Sequence, residues 1–430
     1  MIKSKNNICV IGLGYVGMPL AYEFSKHFNV IGFDINKQRI GELKKGIDKN
    51  DQIISKNLIK SKIKVTHKLK DLSNIDIFIV TVPTPIKKNK QPDLTPLINS
   101  TKIISKKIRR NNIVIYESTM YPGLTEEILV PLIEKISFLK YNEDFFVGYS
   151  PERISPGVKS KELTNIKKII SGSNKKTLKI IKQIYKKIIK AGLYEAESIK
   201  VAEAAKILEN MQRDLNISLI NEASIIFDKL NINTYDVLDA AKTKWNFINI
   251  EPGLVGGHCI SVDPYYLKYK SEQIGYTPNV ISSGRKINEN MAFYASKKIF
   301  NYIKKIRKPS SGLKNLNLGI LGLSFKENCA DIRNSQVFKI IDFFKKKKCN
   351  LQLIDPFITK KDLKGNFIRN IFVKKFIKKL DCLIITVKHN DFIKLKDDYY
   401  LKLMNKNSLI FDVKNILKKR NLKDIKILTL

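Results

Sequence analysis

The sequence is poor in cysteine and tryptophan and has few acidic residues. It contains five cysteines, which are scattered and include no C-x-x-C pair: Cys9, Cys259, Cys329, Cys349 and Cys382. This spacing argues against a disulfide framework and a structural zinc site, and it is typical of a protein from a reducing compartment. We therefore expect a cytoplasmic protein without a bound metal.

Long apolar runs are missing as well. No stretch reaches the roughly 18 consecutive apolar residues of a membrane span. The charged start, MIKSKNNICVIGLG, lacks the apolar core of a signal peptide. The residues are nevertheless 43% hydrophobic and 9% aromatic, which is enough for real cores and argues against disorder. We expect two or three domains and no membrane partner.

Acidic residues number 40 against 79 lysines and arginines, so the formal net charge is +39. Such a charge can indicate a nucleic-acid-binding protein. The lysines, however, are spread along the whole chain and accompany an excess of Asn and Ile. A general drift in composition explains this without any function, and no aromatic-studded basic groove is visible. We expect no nucleic-acid partner, although a phosphorylated small ligand would be attracted.

The first motif with chemistry is NICVIGLGYVGMPLAYEFSK, an apolar strand, a glycine-rich turn and a helix. We expect Gly12 to make the tight turn, Gly14 to let the main chain meet a pyrophosphate, and Gly17 to let helix and strand pack closely. The phosphates would lie at the helix N-terminus. The candidate cofactor loop is Gly12, Leu13, Gly14, Tyr15, Val16 and Gly17.

A second strand, NVIGFDIN, ends in Asp34, about twenty residues after the glycine loop. A carboxylate at this spacing would bind the adenosine ribose hydroxyls and would repel a 2′-phosphate, so NAD is favoured over NADP. Arg39 follows closely and is a further candidate for cofactor binding. A turn without a cofactor is the less favoured alternative.

Other apolar strands also lead into polar loops. IDIFIVTVPTP leads to Thr84, NNIVIYESTMYPG to Ser118 and Thr119, and FFVGYSPERISPG to Glu152 and Arg153. Ligands of an open parallel sheet lie beyond the carboxyl ends of its strands. These residues are therefore candidates for ligand contacts, with ordinary loop chemistry as the alternative.

Residues 198–232 contain no Pro or Gly and are apolar at most positions, which predicts one long helix or two stacked helices. Glu203, Lys206, Asn210 and Arg213 share one face of such a helix. This stripe is either a solvated face or, if buried, a set of polar groups that need partners, such as a ligand's phosphates or hydroxyls. The pattern leaves both alternatives open.

The last third repeats the architecture of the first. After a predicted linker, KPSSG, come a strand, a glycine-bearing turn and a helix, and LDCLIITVKHN mirrors IDIFIVTVPTP. The glycine fingerprint is incomplete, so we expect a nucleotide rather than a second dinucleotide. The fold class is α/β, with two Rossmann-like doubly wound domains joined by a long central helical segment.

In GLVGGHCISVDPYYL, residues 253–267, Cys259 follows two glycines and a histidine. Glycine lets other atoms approach the main chain closely. The stretch is a tight turn, half of a metal site, or a loop that presents a nucleophile. No second ligand stands at a fitting distance from His258, so a structural role is favoured for that histidine.

The chain resembles the UDP-glucose/GDP-mannose dehydrogenase family along essentially its whole length. The matching motifs, in family order, are GLGYVG, TVPTP, EST, YSPERISPG, AEAAKILEN, GLVGGHCISVDPYYL and SFKENCADIRNS. The segments SPERISPG, TKWNF and GGHCISVDPYYL resemble those of the family branch that acts on UDP-N-acetylhexosamines, of the Vi-antigen and O-antigen type.

The resemblance implies an NAD-binding domain over residues 1–197, a central helical dimerisation domain over 198–308 and a UDP-sugar-binding domain over 309–430. It also implies site residues. The catalytic set is Cys259, Lys206, Asp263, Glu152 and Thr119. Cofactor contacts are the glycine loop, Asp34, Arg39, Thr84, Ser118, Thr119 and Arg333. Substrate contacts are Glu152, Arg153, Lys206, Asn210, Arg213, Gly253, Gly256, Gly257, Phe325, Lys326 and Lys414, the last standing where UDP-glucose enzymes have an arginine.

The activity implied is a four-electron, NAD-dependent oxidation of C6 through a thioester on Cys259, for surface polysaccharide biosynthesis by a homodimer. UDP-N-acetylglucosamine is the expected substrate, and its galacto or manno epimers or UDP-glucose are alternatives. Rival classes are a two-electron 2-hydroxyacid or sugar-phosphate dehydrogenase, which needs no cysteine nucleophile, and, least favoured, a basic RNA-binding protein.

Overall fold

A computed structural model of the protein describes residues 6–49, 53, 55–153, 163–306, 315–418 and 420–430. The predicted linker KPSSG lies outside them. The chain divides into two compact units: a first unit, Met1–Glu209 with Tyr265–Tyr276, and a second unit, Asn210–Pro264 with Thr277–Leu430. Within the described ranges, no helix combines the length and the apolar character that crossing a membrane requires.

The first unit is built on one sheet. Its strands are β1 (Asn7–Ile11), β2 (Asn29–Phe33), β3 (Lys64–Thr66), β4 (Ile77–Val80), β5 (Asn112–Tyr116), β6 (Phe145–Tyr149), β7 (Lys168–Gly172) and β8 (Leu193–Glu195). Their spatial order is β3-β2-β1-β4-β5-β6-β7-β8. Neighbours pair parallel, apart from β6 and β7, which pair antiparallel. The order reverses between β1 and β4, which makes their carboxyl ends the topological switch point.

Helices pack on this sheet because its strands are apolar on both faces. They are α1 (Gly17–Ser25), α2 (Lys37–Lys44), α3 (Ser55–Lys60), α4 (Thr95–Ser105), α5 (Val130–Ser137) and α6 (Lys175–Tyr185). Shorter helical turns cover Leu69–Asp71, Thr125–Leu129 and Leu163–Asn165. The core joins strand residues such as Ile8 and Val10 to α1 residues such as Leu20 and Phe24, all of them fully buried.

The predicted long helix forms without a break. It is α7 (Ile199–Lys229), a single helix of 31 residues rather than two stacked helices. Its lack of Pro and Gly explains the continuity. The next helices along the chain are α8 (Thr234–Ala241), α9 (Asp263–Gln273) and α10 (Asn279–Ile306).

The second unit carries a second parallel sheet. Its strands are β9 (Asn317–Leu321), β10 (Asn350–Ile354), β11 (Leu380–Ile385), β12 (Met404–Asp412) and β13 (Ile425–Thr429), in the order β10-β9-β11-β12-β13. Further helices are α11 (Val337–Lys346), α12 (Asn366–Ile371), α13 (Asn390–Ile393) and α14 (Asp397–Leu403). The switch point lies between β9 and β11. The prediction of two Rossmann-like doubly wound sheets is confirmed.

Candidate active site

The glycine loop makes a tight turn at the switch point of the first unit. Gly12 has a φ of +93°, in the left-handed region that favours glycine. A side chain at Gly17 would collide with the carbonyl oxygen of Gly12 and with Thr81. The Thr81 hydroxyl itself donates to the carbonyls of Ile11 (3.0 Å) and Gly12 (2.7 Å). The turn is therefore held from the end of β4.

The main chain is open at Gly14, where an added Cβ would meet no atom within 4 Å. Asp34, at the end of β2, accepts hydrogen bonds from the N–H groups of Leu13 and Asn36, both at 2.8 Å. Each oxygen of this partly exposed carboxylate thus keeps a lone pair for another donor. An open loop main chain beside a carboxylate fits a dinucleotide, with the pyrophosphate over Gly14 and the adenosine ribose on Asp34.

The other predicted cofactor residues of this unit differ in what they can offer. Arg39 is buried and donates to the carbonyl of Leu13 (3.0 Å) and to Asp48 (2.6 Å), so it supports the loop. Ser118 is buried and donates to the carbonyl of Val82 at 2.7 Å. The side chain of Leu13 belongs to the core. The partly exposed residues are Tyr15, Val16, Thr84 and Thr119.

Glu152 belongs to a buried charge cluster. One oxygen of its carboxylate lies 2.9 Å from the ammonium of Lys168, which lies 2.9 Å from the carboxylate of Glu117 as well. Tyr185 donates its hydroxyl to the other oxygen of Glu117. All four side chains are buried. The motif analysis did not identify Lys168, Glu117 or Tyr185 as site residues.

The cluster is electrostatically coupled. Burial raises the pKa of Glu117, and the negative charge of Glu152 adds to this, against the lowering effect of Lys168. Burial alone would lower the pKa of Lys168, but the two carboxylates outweigh it and the pKa is raised. Lys168 is therefore a permanent cation shared by two acids.

The N-terminal half of α7 carries buried polar side chains toward this cluster. Lys206 donates to the main-chain carbonyl of Glu152 at 2.8 Å. One turn earlier, Glu203 accepts from the N–H groups of Gly123 (2.6 Å) and Thr125 (3.1 Å) and from the Thr125 hydroxyl (2.6 Å). Burial raises the pKa of Glu203 to about 7. Of the two interpretations of the α7 stripe, the buried one holds for these two residues.

The buried face of α7 continues at Asp214 rather than at Arg213. Arg153 pairs with Glu209 in the first unit. Arg213 is exposed, and the buried position is that of Asp214, which binds Arg285 (2.7 Å) and Asn288 (2.8 Å) of α10. Of the two interpretations of the stripe, the solvated one holds for Arg213, and its predicted substrate contact stays a prediction. Asp214 was not predicted.

Further along α7, Asn221 holds the loop that contains the cysteine. Its amide oxygen accepts from the N–H of Gly253 at 2.8 Å, and its amide nitrogen donates to the Gly253 carbonyl at 3.1 Å. It also donates to Asn288 at 2.8 Å. Nothing in the sequence distinguished Asn221 from the other polar residues of α7.

The loop itself ends in a helical turn at Cys259. Gly257 has a φ of +83°, and its N–H donates to the Arg333 carbonyl at 3.2 Å. The Cys259 carbonyl accepts from the N–H groups of Val262 (2.9 Å) and Asp263 (2.8 Å). Cys259 thus stands in the turn that leads into α9.

Exposure also distinguishes the cysteines. Cys9 and Cys382 are fully buried, and burial raises the pKa of each thiol. Burial raises the pKa of Cys329 too, although it is partly exposed. Cys259 is partly exposed on a glycine-rich turn. Since the reactive form of cysteine is an accessible thiolate, the two buried cysteines are poor nucleophiles.

Asp263 and Asn210 are paired within the second unit. Asn210 donates its amide N–H to the carboxylate of Asp263, and both side chains are buried. The amide oxygen of Asn210 has no hydrogen-bond partner in the described part of the chain. A buried polar atom without a partner is costly, so this oxygen is suited to accept from a ligand hydroxyl.

A pocket of about 400 Å³, open to solvent, lies at the switch point of the second unit. It is bordered by Leu254 and Gly256 of the cysteine loop and by residues that follow β9 and β11, among them Phe325, Lys326 and Thr386. Its lining also includes Lys414, whose pKa is lowered by burial. Ligands of doubly wound sheets bind at this place, and two lysines favour an anionic one.

Gly257 and Arg333, both predicted site residues, lie beside this pocket rather than in its lining. The Asn334 amide donates to the Gly257 carbonyl at 2.9 Å, and the exposed Arg333 pairs with Asp331 at 2.5 Å. His258 lies 3.8 Å from Asp331. Across the described ranges, no three His, Cys, Asp or Glu side chains form a group that could hold a metal ion.

Family models match successive parts of the chain. They describe the UDP-glucose/GDP-mannose dehydrogenase family: its NAD binding domain over residues 6–189, its central domain over 200–290 and its UDP binding domain over 319–419.

Individual proteins match over almost the full length. Protein CapL of Staphylococcus aureus is 46% identical over 411 residues, 96% of this chain and 96% of CapL. UDP-N-acetyl-D-glucosamine 6-dehydrogenase of Salmonella typhi is 46% identical over 413 residues, 95% of this chain and 96% of that protein. The solved structure of UDP-D-ManNAc dehydrogenase from Pyrococcus horikoshii has a TM-score of 0.86 at 28% identity and covers 98% of each chain.

The family models cover most of the chain, and the relatives match it from end to end, so the resemblance inferred from the motifs is confirmed. The chain belongs to the UDP-glucose/GDP-mannose dehydrogenase family and is an NAD-dependent oxidoreductase.

Proposed function

We propose that the protein oxidises C6 of a UDP-N-acetylhexosamine from an alcohol to a carboxylate, and that UDP-N-acetylglucosamine is its substrate. The observation that carries this proposal is the cysteine loop. It presents a partly exposed Cys259 at the start of a helical turn, and the same loop borders an anion-favouring pocket. A two-electron dehydrogenase has no use for such a cysteine.

The first unit would hold the cofactor. The open main chain at Gly14 and the carboxylate of Asp34 fit a pyrophosphate and an adenosine ribose. The negative charge of Asp34 disfavours the 2′-phosphate of NADP. When bound, NAD⁺ supplies a hydride acceptor for each of the two oxidations.

Cys259 is needed because an aldehyde has no good hydride to lose until a nucleophile makes its carbon tetrahedral. The Cys259 thiolate attacks C6 of the aldehyde and forms a thiohemiacetal, whose oxidation leaves a thioester. A water oxygen then attacks the thioester carbon, the C–S bond breaks, and the thiolate is restored. The conversion consumes one water and two NAD⁺, and it releases two NADH and three protons.

The remaining groups would move protons and stabilise charge. The ammonium of Lys206 would stabilise oxyanions that develop on the substrate. Asp263, fixed by Asn210, would exchange protons with the reacting oxygen or sulfur. Glu152 and Thr119 would orient the water that cleaves the thioester. These roles follow the family resemblance, and the side chains of Glu152, Lys206 and Asp263 are each held by neighbours within their own unit.

The UDP-sugar would bind the second unit. Phe325 packs against Gly256 and Gly257, where any larger side chain would meet its ring or Cβ at about 3 Å. Lys326 and Lys414 supply positive charge for the diphosphate. This arrangement agrees with the match of the UDP binding domain to residues 319–419.

The N-acetylglucosamine configuration is favoured by the comparisons. The relative named for UDP-N-acetyl-D-glucosamine is 46% identical, whereas the structure named for the manno epimer is 28% identical. A cytoplasmic location, a homodimer and a role in surface polysaccharide synthesis stay predictions, as do the three domain boundaries.

A substrate panel tests the proposal. The protein is incubated with NAD⁺ and, separately, UDP-N-acetylglucosamine, UDP-N-acetylgalactosamine, UDP-N-acetylmannosamine and UDP-glucose, and NADH formation is followed by absorbance. We expect the highest kcat/KM with UDP-N-acetylglucosamine and formation of the UDP-uronic acid. Equal or faster oxidation of UDP-glucose would contradict the substrate assignment, and no NADH with any UDP-sugar would contradict the proposed function.

A further inference from the structure

Lys168 is a buried cation with several partners that the mechanism above does not use. It is the first residue of β7, and its ammonium lies 2.9 Å from both Glu117 and Glu152. It also donates to the main-chain carbonyls of Ser150 (3.5 Å) and Pro151 (3.3 Å). One lysine thus joins the end of β5 to the turn that follows β6.

The charges around Lys168 come from each element packed on it. Glu117 follows β5, Glu152 follows β6, and the Tyr185 ring on α6 lies 5.3 Å from the ammonium. From α7, Lys206 reaches the carbonyl of Glu152, and the N–H of Arg153 donates to the Glu152 carboxylate at 2.5 Å. Lys168 is therefore the cation that the two buried carboxylates share, while Lys206 binds the main chain beside them.

Removing one charge from a buried ionic group leaves the others uncompensated, which costs more than the pair gains. Glu152 is fixed at its carboxylate by Lys168 and at its main chain by Lys206. A shift of Lys168 must therefore move the carboxylate of Glu152, which the proposed function uses to orient water. A displacement of about 1 Å at a reacting group can cost on the order of 10²-fold in rate.

We propose that Lys168 is a positioning residue for thioester hydrolysis: it fixes the carboxylate of Glu152 that orients the attacking water. This proposal rests on the proposed function, because it assumes a thioester on Cys259. Lys168 does not touch the substrate. Its effect is confined to the step in which water oxygen attacks the acyl carbon and the sulfur leaves.

Because the two carboxylates share Lys168, the proposal predicts the direction in which each variant moves the pH profile of hydrolysis. Glu117 competes with Glu152 for the charge of Lys168 and repels Glu152. Replacing Glu117 by glutamine leaves Lys168 to Glu152 alone, which favours the ionised carboxylate. Replacing Lys168 by methionine leaves two buried acids without their cation, which disfavours it. The acid limb of the pH profile of hydrolysis should move in opposite directions in the two variants.

The test compares Lys168→Met, Lys168→Arg, Glu117→Gln and, as a matched control, Lys298→Met, which removes a partly buried lysine paired with Asp228 in the second unit. Each is assayed with NAD⁺ and UDP-N-acetylglucosamine, and enzyme quenched during turnover is weighed by intact mass spectrometry. For Lys168→Met we expect kcat to fall by about 10²-fold, kcat/KM to change little, and the acyl adduct on Cys259 to become the main species.

The remaining variants test whether the charge of Lys168 is what matters. Lys168→Arg should restore most of kcat, because it keeps a charge able to bind two carboxylates. Glu117→Gln should move the acid limb of kcat to lower pH and Lys168→Met to higher pH, whereas Lys298→Met should behave as wild type. If Lys168→Met does not fold, the direction of the Glu117→Gln shift decides.

Two failures are distinguishable. A wild-type ratio of one NADH per sugar would overturn the proposed function, and this inference with it. A wild-type ratio of two, together with an equal fall of kcat and kcat/KM in Lys168→Met and no acyl adduct, would overturn the role of Lys168 alone. An acid limb that moves to higher pH in Glu117→Gln would do the same.

Discussion

The two sheets begin with the same turn. Gly12 after β1 has a φ of +93°, and Gly322 after β9 has a φ of +99°. In each unit a threonine from the neighbouring strand, Thr81 or Thr386, donates to the last carbonyl of the strand at 3.0 Å and to the glycine carbonyl at 2.7 Å. The two switch points are therefore built on one plan.

The plan extends to an aspartate after the second strand. Asp34 accepts from the N–H of the residue after Gly12 at 2.8 Å, and Asp355 accepts from the N–H of the residue after Gly322 at 2.7 Å. Asp34 also accepts from the N–H of Asn36, and Asp355 from the N–H of Phe357, both at 2.8 Å. By backbone geometry alone, both turns look fit for a dinucleotide.

The two turns differ in the side chains that surround them. Where the first turn has Gly14, the second has Ser324, whose hydroxyl lies 3.1 Å from Nε2 of His389. The same nitrogen lies 3.3 Å from Asp355, and Nδ1 of His389 accepts from the N–H of Asn328 at 2.9 Å. The place open to a cofactor in the first unit is filled by protein in the second.

The same turn therefore serves two purposes in the two units. In the first unit the partly exposed Asp34 can take a ribose. In the second, burial alone would raise the pKa of Asp355, but hydrogen bonds from His389 and from Leu323 outweigh it, so the pKa is lowered and the carboxylate is committed to the protein. It anchors the loop that carries Phe325 and Lys326 to the pocket.

The largest effect is expected from removing the anchor. Asp355→Ala leaves the buried N–H groups of Leu323 and Ser324 and the imidazole of His389 without their acceptor, at about 1–3 kcal/mol for each unsatisfied group. Thermal unfolding and hydrogen exchange should show second-unit peptides destabilised by several kcal/mol. NAD⁺ affinity should stay the same. A loss of NAD⁺ binding without destabilisation would contradict the comparison.

The first unit contains a buried carboxylate that should make its stability depend on pH. The pKa of Glu203 is raised to about 7, so its contribution to stability is complete below its ordinary pKa near 4.5 and is lost as pH rises to 7. The loss is at most about 3 kcal/mol. Glu203→Gln should remove this dependence in urea unfolding at pH 5 and 8. The exposed Glu272→Gln is the control, and an unchanged pH dependence in Glu203→Gln would refute this explanation.

Asp34→Ala examines the cofactor side of the comparison. Loss of a charge-assisted hydrogen bond costs about 1.5–3 kcal/mol, which is roughly a 10- to 150-fold weaker affinity for NAD⁺. The preference against NADP⁺ should also relax, and the melting temperature should change less than in Asp355→Ala. Calorimetric titration with both dinucleotides measures this. An unchanged NAD⁺ affinity would remove Asp34 from the site.

The smallest effect is expected at Lys414. Lys326 lines the same pocket, so Lys414→Met should raise KM for the UDP-sugar by only about 5- to 10-fold, or roughly 1 kcal/mol. NAD⁺ affinity should not change. Lys418→Met removes an exposed lysine that pairs with Asp239 and serves as the control. Equal KM values for the two variants would place Lys414 outside the substrate pocket.

Local motifs predicted the turn, but not what surrounds it. Gly12, Gly17 and Asp34 are related by fixed spacings along the chain, so their arrangement could be read from the sequence. Lys168 and Glu117 are 51 residues apart and meet only because the sheet brings β5, β6 and β7 together. No spacing rule indicates such a cluster.

The stripe on α7 shows the same limit. At about 100° per residue, Asn210, Asp214 and Asn221 point within about 20° of the direction of Glu203, while Arg213 points about 80° away. Spacings of three and four both occur on a helix face, and only the packed neighbours decide which residue becomes buried. The sequence pattern therefore could not show that Asp214, rather than Arg213, is buried.

If Cys259 carries the second oxidation, the ratio of NADH formed to UDP-N-acetylglucosamine consumed will show it. With limiting sugar, the wild type should give two NADH per sugar and release no aldehyde. Cys259→Ala should still bind NAD⁺ and the UDP-sugar but make no uronic acid, while the control Cys349→Ala should keep the wild-type ratio and rate. A ratio of one for the wild type, or uronic acid formation by Cys259→Ala at a near wild-type rate, would contradict the account.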